Sequence, residues 1–206
     1  MSGVLVRQQI ISRIKKDNLV ENADLAQCVG PASYELRVGS YHDWHAGTRV
    51  DLQKGEAIAV APNGFLLVGT VERVTLPDDI LGMMYLRSTY ARRGFLSWFQ
   101  GIVDPGYNGN LTVVLHNLTG DLVPLYGEER ICHLVFEQLS EAVDQGYEGA
   151  YQGSQGASPP RQAPTVKIVG EKLYELGKTA TETGTKVLVT ELLRNPDVLR
   201  RLLGGG

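Results

Sequence analysis

From about residue 33 to residue 140 the chain is written in short apolar runs cut by Gly, Pro, Asn and Asp: Ala57–Val60, Phe65–Val71, Ile80–Leu86, Leu111–His116, Leu122–Leu125 and Ile131–Phe136. Runs of this length and punctuation predict strands, and many short strands at near-regular intervals predict a sandwich or barrel rather than βαβ units. Ahead of them, Val6, Ile10, Ile11 and Ile14 recur at helical spacing with Arg13, Lys15 and Lys16 between, which predicts one amphipathic helix within residues 4–18, packed on the core. Residues 144–164 are rich in Gly, Gln, Ser and Pro and carry no apolar period, so they are expected to be mobile unless a ligand or a neighbouring subunit orders them. Helical spacing returns with Val169, Leu173 and Leu176, with Val187 to Leu193, and with Val198, Leu199, Leu202 and Leu203 behind Pro196 at a first-turn position. The pattern therefore divides the chain into a mainly β core with its N-terminal helix over residues 1–140, an arm over 141–164 and a helical extension over 165–206.

With 206 residues, 43% of them hydrophobic, the chain can bury one full-sized core rather than two. A formal net charge of −3 gives no general attraction to nucleic acid or anionic lipid, so a phosphate-handling site has to be a local cluster of arginines and amides. Cys28 and Cys132 lie far apart and outside any CxxC spacing, which supplies neither a disulfide framework nor a zinc cluster and suits a reducing cytoplasm. No apolar run is long enough to span a bilayer, and residues 1–4 show no secretion signal. The expected partners are small molecules or proteins.

Three segments carry unusual chemistry. Leu86-Arg87-Ser88-Thr89-Tyr90-Ala91-Arg92-Arg93-Gly94 packs three arginines and two hydroxyls directly after an apolar run, an arrangement that can bind phosphate through guanidinium forks and hydroxyls; a solvated basic turn is the alternative. In Gly101 to Asn110, Asp104 sits between an apolar run and a Pro-Gly turn. A carboxylate there can orient a water or a sugar hydroxyl, or simply make the turn. Gly149 to Arg161 holds Tyr151, Gln152, Gln155 and Arg161 on a flexible background, suited to closing over a ligand or to being a plain linker.

Taken in order, these segments resemble the dCTP deaminase and dUTPase superfamily over about residues 4–161. Pro31 to Gly39 is similar to the family's early motif, with Glu35 where Asp is usual; Arg87 to Arg92 resembles its RSSLAR motif; Gly101 to Gly109 resembles its glycine-flanked aspartate motif. Gly127 to Leu134 is similar to a PGxRIxQL segment, with His133 in the Gln position. Tyr151 to Arg161 matches the ending of the deaminase branch, with Pro160 for Ser and with Ala150 in place of a frequent Lys. The resemblance implies a distorted β-barrel or jelly-roll-like subunit that forms a homotrimer, with active sites built between neighbouring chains and covered by the arm.

Within that resemblance, deaminating members carry a glutamate ten residues after the motif aspartate, where it acts on the attacking water. The corresponding residue here is Val114, which cannot accept a proton, and His116 lies two residues further, about 7 Å along a strand. The expectation is therefore a Mg2+-dependent dUTP pyrophosphatase that forms dUMP and pyrophosphate, with Asp104 orienting water and Arg87, Ser88, Thr89, Arg92, Tyr107, Asn110, Val114, Tyr151, Gln155 and Arg161 lining the nucleotide. Mg2+ is expected mainly on the triphosphate, with Glu35 as its candidate protein ligand. The alternatives are dCTP deamination, hydrolysis of another pyrimidine nucleotide, and a nucleotide-binding regulatory module with little turnover. Residues 165–203 are expected to pack on their own subunit or trimer, with recruitment of a protein partner as the alternative.

Overall fold

The structure is a computed structural model that describes residues 2–43, 46–97 and 101–159. The expected extension 165–206, and Arg161 with it, lie outside the described residues. The elements in chain order are β1 (Gly3–Val4), α1 (Arg7–Asp17), β2 (Val20–Glu21), β3 (Tyr34–Asp43), β4 (Thr48–Asp51), β5 (Ala57–Val60), β6 (Phe65–Thr75), β7 (Ile80–Leu86), α2 (Ser88–Arg92), β8 (Phe95–Leu96), β9 (Ile102–Val103), β10 (Asn108–Asn117), β11 (Val123–Tyr126) and β12 (Arg130–Gln138).

Helix α1 forms because Ile10 and Ile14, one turn apart, both enter the core, while Arg13, Lys15 and Lys16 stay at its surface. The Gln9 side chain accepts the Val6 backbone N–H at the start, two lysines complement the dipole in the last turn, and Asn18 closes the helix in the left-handed region at φ 53°. Val6, expected on the apolar stripe, instead stands at the cap and is 47% exposed, because Gly3–Val4 is drawn out of the helix to pair with β12.

The strands make one strongly curled sheet in the order β8-β10-β6-β3-β12-β7-β9, with β1, β2 and β4 attached at its margins and β5 paired with β11 as a separate ribbon. All the strand pairs are antiparallel, so the mainly β, distorted barrel-like expectation is borne out. Tyr34, Leu36 and Val38 of β3, Val68 and Val74 of β6, Leu115 of β10 and Ile131, Leu134 and Phe136 of β12 fill the interior. Strand β10 alternates strictly. Leu111, Val113 and Leu115 point inward, while Asn110, Thr112, Val114 and His116 share the half-buried outer face.

Both β10 and β3 pass β6 at an irregularity. Asn110 opposes Arg73 but Thr112 opposes Gly69, so Thr70, Val71 and Glu72 face the single residue Leu111. The Asn110 amide closes this bulge, donating to the carbonyls of Thr70 and Glu72, each at 3.0 Å.

Residues 143–158 of the arm bond to their own chain: Val143 N–H donates to Asp78 O, Tyr147 N–H to Pro105 O, Gly153 N–H to Asn108 O, and Asn110 N–H to Ser154 O. Backbone hydrogen bonds to the edge of β10, which a composition rich in Gly and Gln does not announce, replace the apolar contacts that this segment lacks. Among the described residues no helix is long and apolar enough to cross a membrane.

Candidate active site

The basic segment starts where β7 ends. Arg87 leaves the strand in an extended conformation, its N–H on Ile131 O at 3.0 Å, and its guanidinium reaches Glu35 at 2.8 Å and the Arg130 carbonyl at 3.0 Å. Arg130 takes the other Glu35 oxygen at 2.6 Å, and His133 Nδ1 lies 3.9 Å from Glu35 and 3.3 Å from Ser33 Oγ. Two arginines around one carboxylate leave a net positive charge, and Glu35 fixes the Arg87 fork in one orientation. Ser88, Thr89 and Arg92 are exposed on α2 beside it. Arg93 separates from this group: it is bonded to Glu129 at 2.8 and 3.1 Å and to Pro124 O, and lies 5.0 Å over the Tyr90 ring, so it is a strut of the fold.

Glu35 also bears on magnesium. Both its oxygens face arginines, and among the described residues no group of three or more His, Cys, Asp or Glu is placed to hold a metal ion. Within the chain, Glu35 anchors Arg87 and Arg130, one on each carboxylate oxygen.

The second group is the turn after β9. Asp104 is exposed, its carbonyl accepting Tyr107 N–H at 3.2 Å, and Gly106 turns at φ 82°. A Cβ at Gly106 would stand 2.7 Å from Gly146 Cα, so the root of the arm requires glycine on the turn. Tyr107 is 6% exposed, donates to Asn110 O at 2.7 Å and meets Tyr147 edge-on at 5.5 Å. Burial raises its phenol above the ordinary tyrosine value. Val114 is half-buried on the outer face of β10. His116, on the same face, contacts Asn63 O at 3.1 Å.

These two groups do not meet within one chain. Gly82 of β7 pairs with Val103, which sets Asp104 opposite Leu81, whereas Arg87 lies past the far end of the same strand. Six residues of strand put them about 20 Å apart.

The arm lies on the Asp104 half. Its residues 153 and 154 pair with β10 at Asn108 and Asn110, and β8 pairs with β10 at His116. By the alternation of an antiparallel strand, the same edge between them carries the main-chain groups of Thr112 and Val114. Gln152 clamps the arm, accepting from Asn108 N–H and donating to Gly106 O, both at 2.8 Å. Tyr151 and Gln155 expose their side chains.

The reading from sequence missed Glu72. It is fully buried and accepts Arg37 Nε at 2.7 Å, Arg37 N–H at 2.8 Å and the Tyr34 hydroxyl at 3.2 Å. Burial raises its carboxyl, against the lowering effect of the Arg37 bonds. Both cysteines are free and buried, and burial pushes the Cys132 thiol up to about 12, which makes it inert.

Residues 4–139 match the family described as dCTP deaminase-like, and the chain belongs to that family. The chain is 41% identical over 143 residues to the dCTP deaminase of Thermococcus sibiricus, an alignment covering 69% of this chain and 90% of the relative. It is 29% identical over 161 residues, 71% of this chain and 89% of the relative, to a protein of Persephonella marina named dCTP deaminase, dUMP-forming. The fold is shared with the crystal structure of a dCTP deaminase from Agrobacterium tumefaciens at a TM-score of 0.58 and 20% identity, covering 66% of this chain and 48% of that one, so this chain spans about half of that solved chain's length.

Proposed function

We propose that the protein turns over a pyrimidine deoxynucleoside triphosphate and that dCTP is its substrate, with deamination to a uracil nucleotide as the reaction. The observation that carries this reading is the 41% identity, over nine-tenths of its length, to a relative named dCTP deaminase. In this reading Arg87, Ser88, Thr89 and Arg92 of one subunit of a homotrimer hold the phosphates, and the Asp104 turn, the Tyr107 ring and the β10 edge of the neighbour hold the deoxyribose and the base. Main-chain groups of Thr112 and Val114 face the pyrimidine edge, and Tyr151 and Gln155 close over it, with Arg161 following on the arm. Mg2+ belongs to the substrate as the magnesium triphosphate. Two free thiols suit a cytoplasmic setting.

A second reading, dUTP pyrophosphatase, rests on Val114. The outer face of β10 presents valine where the deaminating members of the resemblance carry glutamate, and the outward residues of that strand, Asn108, Asn110, Thr112, Val114 and His116, include no carboxylate. Hydrolysis needs no proton relay at the base. It needs charge neutralisation by the arginine group and a carboxylate beside the water, the role for Asp104.

Incubation of the purified protein and Mg2+ with dCTP, dUTP and dTTP separately, with chromatography of the products, tests both readings. Loss of dCTP to a uracil nucleotide supports deamination. Conversion of dUTP alone to dUMP moves the assignment to the second reading. Consumption of none of them removes both.

A further inference from the structure

On the reading that β10 and the arm form the base end of a nucleotide site, we propose that Asn110 is a positioning residue whose carboxamide fastens the arm to the bulge of β6, rather than a group that touches the nucleotide. Every polar atom of its side chain has an internal partner. The amide nitrogen donates to Thr70 O and Glu72 O at 3.0 Å each, and the amide oxygen accepts Gly156 N–H at 3.2 Å. Its main-chain N–H donates to Ser154 O at 2.9 Å, so one residue holds the arm at two points two residues apart.

The bulge is what brings that oxygen under Gly156. Thr70 Oγ donates to Glu72 O at 2.7 Å and accepts Leu111 N–H at 3.0 Å, so the three residues looped out of register are tied down by neighbours on both strands. The arm then lands on a prepared seat. Ala157 N–H donates to Ser40 Oγ at 2.9 Å and Ser158 N–H to Thr112 Oγ1 at 3.1 Å, while Gly69 leaves the space that Ala157 occupies, its notional Cβ lying 2.1 Å from Ala157 N. Ser40 is itself buried, which marks this as a built contact and not a surface one. Asparagine is required because the position needs a donor toward two carbonyls and an acceptor toward an N–H on the same planar group. Its effect on turnover passes through the arm, by setting where Tyr151 and Gln155 stand.

The test compares the full-length wild type with Asn110→Ala and Asn110→Asp by limited proteolysis, with cleavage sites mapped by mass spectrometry, and by steady-state kinetics on the nucleotide the wild type consumes. Alanine removes both halves of the role. Cleavage within residues 146–159 is expected to rise roughly tenfold or more, and KM to rise about tenfold with a smaller change in kcat. Aspartate keeps the acceptor for Gly156 but sets an oxygen against the two carbonyls, so the arm stays protected while the thermal midpoint falls. If Asn110→Ala does not fold, Asn110→Ser carries the same comparison. Wild-type protection of the arm in the alanine or serine variant overturns the proposal, and so does equal release of the arm by alanine and aspartate. The proteolysis needs no turnover, so it stands or falls apart from the substrate reading, which the identity of the consumed nucleotide and its product decides.

Discussion

Replacing Glu72 by alanine tests whether the buried ion pair holds the sheet together where β3 crosses β6. The substitution removes the carboxylate that receives Arg37 Nε, Arg37 N–H and the Tyr34 hydroxyl, at 2.7, 2.8 and 3.2 Å. It leaves the Arg37 side chain, itself only 15% exposed, with Asn22 O at 2.7 Å and Glu128 at 3.6 Å. Breaking a buried pair by removing one partner costs about 3–5 kcal/mol. The two remaining contacts of Arg37 put the cost at the lower end, about 3 kcal/mol, which for a chain of this size lowers Tm by roughly 6–12 °C. Denaturant unfolding followed by circular dichroism measures it. A loss below about 1 kcal/mol would mean that Arg37 finds solvent without cost, and would refute the argument that Glu72 is structural.

Three further outcomes follow from the geometry. The Arg13 hydrogen bond holds the Asp79 carboxyl below the ordinary aspartate value, so its contribution is complete above the unfolded pKa and is lost as pH falls through the lower folded one. Asp79→Asn should therefore cost up to about 1 kcal/mol above roughly pH 4, with the gap to wild type closing at lower pH in denaturant titrations. Asp104→Asn and Arg87→Ala should each be inactive alone but regain activity when their subunits are mixed and reassembled, because the two groups lie about 20 Å apart in one chain; absence of any recovery would contradict a site shared between copies. Gly69→Ala should displace the arm, seen as faster proteolysis within residues 146–159 with the sheet's circular dichroism retained.

The strands with continuous apolar runs were legible in the sequence: β5 and β7 fall on the expected residues, and β6, β10, β11 and β12 differ by a few at their ends. Strand β3 was not, because its inward positions continue past Val38 as Ser40 and His42, so the apolar alternation stops halfway along a real strand. Strand β4 has no buried position at all, and β8 and β9 are two residues each. Glu72 had a signal: it shares the inward period of two with Val68, Thr70 and Val74, where a charge must find a partner. The arginine segment was legible as a group, but the separation of Arg93 from Arg87 depends on Glu129, in the turn before β12, and on Glu35 of β3, both distant in sequence. The hydrogen bonds of the arm were not legible, because they come from main-chain pairing with β10, which leaves no mark on side-chain composition.

The most direct test of the account is the fate of dCTP, incubated with the purified protein and Mg2+ beside dUTP and dTTP, with Asp104→Asn as the control. dCTP should disappear, a uracil nucleotide should take its place, and the variant should leave dCTP intact. Turnover of dUTP alone would make Val114 the deciding residue and the protein a pyrophosphatase. Persistence of all three nucleotides would contradict the account.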